Sequence, residues 1–192
     1  MPKESKNIIG IDEAGRGPLS GPVVAAAVLD SPKRIKGVKD SKLLNEKKRE
    51  ELYLEIVNSY KWGIGIVSPK RIDKINILEA TKEAMIKAVR NLEKKNKLKA
   101  HHLILDGNMG INIEISQESI IKADRKIYCV SAASIIAKVT RDRLMIKYDK
   151  LYPEYNFKKH KGYGTREHFK LIKKHGGCEM HRKSFKPFDK DK

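Results

Sequence analysis

The chain is 192 residues long and 40% hydrophobic, with 42 lysines and arginines against 24 aspartates and glutamates, a formal net charge of +18. That length suits one ordinary domain with a small appendage, and the apolar fraction is enough to build a core without disulfide or metal staples. The positive excess points to a polyanionic partner, and no apolar run approaches the roughly 18 residues that a bilayer-spanning helix needs.

Residues 1–6 are polar and lead directly into a strand-like run, with no apolar signal-peptide stretch, so a cytoplasmic protein is expected. Residues 8–12 and 23–29 both read as strands, the second a continuous apolar run expected of a buried one, and a turn rich in glycine and proline joins them. Asn45 predicts the cap of a helix running to about residue 60, with Leu52, Ile56 and either Leu54 or Val57 on its inner face. Residues 62–67 read as a third strand. Ser68-Pro69 opens a short helical piece, and a longer helix is expected over residues 77–95, with Ala84, Ala88 and Leu92 at helical spacing. Residues 103–106 read as a short buried strand closed by a Gly107-Asn108 turn, and a further strand is expected near residue 113 or over 119–122. Residues 131–152 predict one long helix whose packed stripe is Ala133, Ile136, Ala137, Thr140, Leu144 and Tyr148, and Pro153 ends it. This order of strands and helices predicts an α/β fold with a mixed central sheet flanked by helices. Residues 153–192 hold four of the six histidines and read as a small helical C-terminal extension on a main domain of residues 1–152.

Four acids stand out against the basic background. Asp12 and Glu13 end the first strand, Asp106 ends a later one, and Asp124 lies in a short polar link. Strand ends are where a sheet edge offers side chains to a crevice, so Asp12 and Asp106 are candidates to converge. Carboxylates beside a polyanion need cations. In a two-metal site such acids hold ions about 3.5–4 Å apart, one to activate a water and one to stabilise the leaving oxygen, and an all-oxygen set suits Mg²⁺ or Mn²⁺. A zinc site from His168, His175, Cys178 and His181 is poorly supported, because no paired-cysteine motif accompanies them and basic neighbours repel a cation. The two cysteines, Cys129 and Cys178, are read as reduced structural thiols.

The turn of residues 12–22, DEAGRGPLSGP, is not a dinucleotide fingerprint, since three residues separate Gly17 from Gly21 and a strand follows rather than a helix. Its glycines allow the backbone to approach a sugar or phosphate closely. With this turn, the chain resembles the ribonuclease HII family of type 2 ribonucleases H. The resemblance extends through DSKL at 40–43, NILEAT at 76–81, LDG at 105–107, KAD at 122–124, SAASIIAKVTRD at 131–142, HKGYGT at 160–165 and HRKSF at 181–185, in the family's order over nearly the whole chain.

The resemblance implies a ribonuclease H-like sheet and hydrolysis of the phosphodiester 5′ of a ribonucleotide, in RNA/DNA hybrids and at single ribonucleotides in duplex DNA, leaving 3′-hydroxyl and 5′-phosphate ends. It implies that Asp12, Glu13, Asp106 and Asp124 are the catalytic acids and hold two Mg²⁺ or Mn²⁺ ions. Gly15, Arg16 and Gly17 would read the ribose 2′-hydroxyl, the group that separates RNA from DNA at a single site, largely through their backbone, and Tyr163 would stack on the following deoxyribose. Ser134 and Lys138, four residues apart on one helical face, and Lys42 are candidates for phosphate contact. Some relatives dock on a sliding clamp through a glutamine-headed C-terminal peptide. Residues 184–192 contain no glutamine, so no clamp-binding peptide is expected and a monomer is. Two rivals make different predictions: a hybrid-only nuclease or junction resolvase would ignore a lone ribonucleotide, and a non-catalytic binding module would be indifferent to chelators.

Overall fold

The computed structural model describes residues 7–38, 41 and 44–188. Its centre is a five-stranded mixed sheet in the order β3-β2-β1-β4-β5. β1 (Ile8–Ala14), β2 (Val23–Leu29) and β3 (Trp62–Val67) form an antiparallel meander. β4 (His102–Asp106) and β5 (Ser116–Ile120) extend it in parallel on the other side of β1. The fifth strand starts between the two positions expected for it and overlaps the second at Ser119 and Ile120. Its sequence, Ser-Gln-Glu-Ser-Ile, has no buried residue and so no alternation to announce it.

Side-chain alternation sends the two faces of the sheet to different helices. Ile9, Ile11, Ala25, Leu103 and Leu105 pack on α2 (Pro69–Asn96) through Ala84, Met85, Ala88 and Leu92. Ala26 and Val28 face α1 (Glu46–Ser59) and α3 (Tyr128–Leu151). Asn45 caps α1 by accepting from the Lys48 amide at 2.8 Å, as its position predicts. Leu52 and Ile56 are buried and Val57 packs against the same cluster, whereas Leu54 is exposed. The short and long helical pieces expected after residue 68 form one element kinked at Asn76, whose φ of 63° breaks the helix and whose side chain accepts from the Leu78 and Glu79 amides.

α3 begins at Tyr128, three residues before the expected start, because Cys129 and Val130 are drawn onto β1. A Cβ at Gly10 would lie 2.5 Å from the Cys129 carbonyl carbon, so glycine is what lets the helix approach this closely. The first three turns of α3 are buried nearly all round. In its second half the buried residues are Arg141, Asp142 and Met145, while Thr140, Leu144 and Tyr148 are half-buried.

The C-terminal segment carries α4 (Phe157–His160) and α5 (Arg166–His175). It adds a β-bridge between Ser20 and His181, so the turn between β1 and β2 is held from the C-terminal side.

Candidate active site

The sheet register builds the site. β1 and β4 run in parallel with Ile11 opposite Leu105, so the next residues, Asp12 and Asp106, stand side by side at the ends of neighbouring strands. Alternation puts both on the α3 face, because Ile11 and Leu105 belong to the opposite core. Asp124 arrives from a 3-10 turn, Ala123–Arg125, that precedes α3. The Ala123 amide donates to Asp106 Oδ1 at 2.7 Å, and the Ser131 hydroxyl donates to the Asp124 carbonyl at 2.7 Å, fixing that turn to both the strand and the helix. Asp12, Asp106 and Asp124 each bring a carboxylate oxygen to within 4.8 Å of the others.

Asp12 is buried, and its pKa is raised well above the carboxylate value of 3.8. Loss of hydration is the largest cause and the Glu13 charge the next; a hydrogen bond from Ser134 pulls the other way, and Asp106 adds to the rise. Crowded acids with oxygen donors alone, one of them held against its charge, are a donor set that fits a hard divalent cation. Glu13 lies outside the group of three. It pairs with Ala25, on the α2 face, and its carboxylate is 3.8 Å from Arg16 Nη1.

The other expected residues divide by depth. Arg16 and Gly17 are exposed at the turn, and a Cβ on Gly17 would meet nothing within 4 Å. Gly15 is buried at φ 100°, and a Cβ there would sit 2.2 Å from Arg141 Nε. Ser134 is buried beside Asp12, with its hydroxyl 2.9 Å from that of Ser41. Lys138 pairs with Asp142 at 2.8 Å, and its Nζ lies 5.8 Å from the ring centre of Tyr163. Tyr163 is 43% exposed, standing out from the surface rather than filling a loop. Lys42 lies outside the described residues.

The histidines pack the C-terminal segment. His168 and His181 meet through their Nε2 atoms at 3.1 Å, and Cys178 Sγ lies 3.2 Å from His181 Nδ1, while His175 is exposed with its ring edge toward Tyr155. Among the described residues, the only group of three or more acids, histidines or cysteines able to converge on one ion is the aspartate set.

Sequence reasoning did not single out Arg141 or Arg182, both fully buried. Arg141 had a signal: it falls four residues after Ala137 and four before Met145, on the buried side of α3. Arg182 had none.

Residues 9–188 match the family model for ribonuclease HII. The chain belongs to the ribonuclease HII family. A ribonuclease HII of Francisella tularensis subsp. novicida is 52% identical over 182 residues, covering 94% of this chain and 96% of the relative. Among solved structures, the ribonuclease H2 of Pyrococcus horikoshii OT3 matches with a TM-score of 0.76 at 30% identity over 95% of both chains. The ribonuclease HII of Archaeoglobus fulgidus, solved as a complex with PCNA, matches with a TM-score of 0.78 at 29% identity, covering 94% of this chain and 95% of that one. The mixed sheet flanked by helices is thus the ribonuclease H-like fold, and the protein is a hydrolase of the endoribonuclease class that acts on nucleic acid. Among the described residues no helix is long and apolar enough to cross a membrane.

Proposed function

We propose that this member of the ribonuclease HII family hydrolyses the phosphodiester on the 5′ side of a ribonucleotide, both in RNA/DNA hybrids and at single ribonucleotides in duplex DNA, leaving 3′-hydroxyl and 5′-phosphate ends. The observation that carries the reading is the convergence of three carboxylates from two strand ends and the link before α3. Asp12, Asp106 and Asp124, together with Glu13 from outside that group, would hold two Mg²⁺ or Mn²⁺ ions, whose chemistry is to activate a water and neutralise charge on the departing oxygen. Ser134 orients the Asp12 carboxylate. The exposed Arg16-Gly17 end of the turn, next to Gly15, meets the ribose 2′-hydroxyl, and the Tyr163 ring stacks on the sugar that follows. Lys138, and Lys42 outside the described residues, supply positive charge for phosphates. The protein works as a monomer in the cytoplasm, on our reading, and needs no clamp-docking peptide; a pull-down with a sliding clamp tests that last point.

The test uses duplexes carrying zero, one or four ribonucleotides, with and without chelator, with the cut mapped to one nucleotide. Cleavage 5′ of the lone ribonucleotide that stops with chelator is expected. Cleavage only of the four-ribonucleotide duplex, or cleavage indifferent to chelator, would overturn the reading.

A further inference from the structure

The turn between β1 and β2 is gripped from beneath by two guanidinium groups that take no part in the chemistry above. Arg182 spreads over three carbonyls, with Nε and Nη2 donating to Gly21 O at 3.0 and 2.8 Å, Nη1 to Arg16 O at 2.9 Å and Nη2 to Gly15 O at 2.6 Å. Arg141 takes the carbonyls of Ser20 and Pro22, at 2.9 and 3.0 Å, and that of Lys161 at 2.9 Å. A planar fork that satisfies several fixed acceptors at once holds geometry in a way that a lysine point charge does not. With the Gly15 and Arg16 carbonyls drawn inward, Arg16 and Gly17 stand exposed at the outer side of the turn.

The residue before Arg182 reaches the second substrate-reading group. His181 Nδ1 accepts from the Cys178 amide at 2.9 Å, so its proton sits on Nε2 and donates to His168 Nε2 at 3.1 Å. His168 then carries its own proton on Nδ1 and donates it to the Tyr163 carbonyl at 2.9 Å. The bonds run in one direction, from the C-terminal segment to the backbone of the exposed tyrosine. Both rings are neutral at physiological pH, since burial lowers each pKa to about 4. The Leu19 amide also donates to Gly162 O at 2.9 Å, and the Arg182 amide to Leu19 O at 2.9 Å, so turn, tyrosine loop and C-terminal segment form one hydrogen-bonded unit.

We propose that the His181-Arg182 pair is a positioning brace: Arg182 fixes the Gly15-Arg16-Gly17 turn and His181, through His168, fixes Tyr163, so the pair sets the spacing between the two groups that read the ribose and the sugar after it. The inference rests on the reading of that turn and that ring given above. Neither residue touches the reacting atoms. The spacing matters most for a lone ribonucleotide, which offers one productive register. A run of ribonucleotides offers several, so a loosened site still finds one it can cut. Misplacement by about 1 Å can cost on the order of a hundredfold in rate.

Arg182→Lys and His168→Phe are assayed on duplexes with one and with four ribonucleotides, well below each variant's melting temperature. His168→Phe keeps an aromatic ring stacked on His160 and removes the donor to Tyr163 O, and it serves if Arg182→Lys does not fold. The expected result is a ten- to hundredfold fall in kcat/KM on the single-ribonucleotide duplex and a fall of less than fivefold on the other. A purely structural role would lower both in proportion and leave their ratio unchanged. An unchanged ratio in folded variants of a wild-type enzyme that does cut the lone ribonucleotide would overturn the brace alone. A wild-type enzyme that fails on the lone ribonucleotide would overturn the reading of the turn, and the brace with it.

Discussion

Asp12 sits in an unfavourable place for a carboxylate. Burial and the neighbouring charges of Glu13 and Asp106 outweigh the Ser134 hydrogen bond and raise its pKa. A raised pKa in an acid is a folded-state cost that builds as the pH rises from the unfolded value of 3.8 toward the folded one and is complete above it, and a bound cation offsets it. Asp12→Asn should therefore raise the stability of the metal-free protein by about 1 kcal/mol, or roughly 2–4 °C in a thermal melt, while turnover falls by orders of magnitude. Divalent metal should stabilise the wild type and leave the variant's melting temperature unmoved. A variant that melts below the wild type in chelator would contradict this account of the site. The turn glycines divide in the same residue-by-residue way. Gly15→Ala places a Cβ 2.2 Å from Arg141 Nε at φ 100°, and a loss of about 2–4 kcal/mol is expected from urea unfolding. Gly17→Ala meets open space, so its urea midpoint should match the wild type, and any loss of kcat/KM reports on substrate approach.

At the scale of elements, much of this fold could be read in the sequence because alternation and helical spacing mark surfaces that are buried on one side. Val23–Leu29 and His102–Asp106 announce themselves by apolar runs, and α1 by its cap and by Leu52 and Ile56. The early start of α3 and the position of β5 were not legible, since the first depends on Gly10 admitting a neighbouring helix and the second is an edge strand with no buried face. Asp12 and Asp106 could be picked out by their strand ends, but their meeting is set by the β1–β4 register, which no local pattern encodes. The Arg182 grip spans more than 160 residues of chain and is made to backbone carbonyls, which carry no side-chain signature. The histidine cluster has a measurable consequence at this scale. His168 and His181 have folded pKa values lowered to about 4 from 6.5, by burial first and then by the His160 charge, with backbone hydrogen bonds pulling the other way, and Cys178, Tyr155, Glu167, Lys159 and Asp149 are further ionisable groups around the cluster. Lowered values in a base mean that the unfolded chain takes up protons first as pH falls. Their contribution is whole above about pH 6.5 and is lost progressively toward pH 4, each shift corresponding to roughly 3 kcal/mol. Melts at pH 7 and pH 5 should show a drop for the wild type and a smaller one for His168→Phe, and equal drops would remove the buried rings as the cause.

For the whole molecule, the question is how a protein with a net charge of +18 places an acidic pocket against a polyanion without losing the polyanion. The carboxylates repel phosphate locally, so affinity has to come from the surrounding basic surface and its release of counterions. That separation makes two dependences independent. Binding to an uncleavable all-DNA duplex should weaken with salt. If about five phosphates are neutralised, the slope of log affinity against log salt is roughly −4.5, a fall of roughly 500-fold between 50 and 200 mM. Chelator should change that affinity little at fixed ionic strength if the acids serve chemistry more than attachment, as the proposed function has it. Fluorescence anisotropy with a labelled duplex measures both. A slope shallower than about −2 would mean that the charge excess does not face the nucleic acid. A large loss of binding on chelation would mean that the cations bridge protein to strand, and the aspartates would then rank among the principal binding groups as well as the catalytic ones.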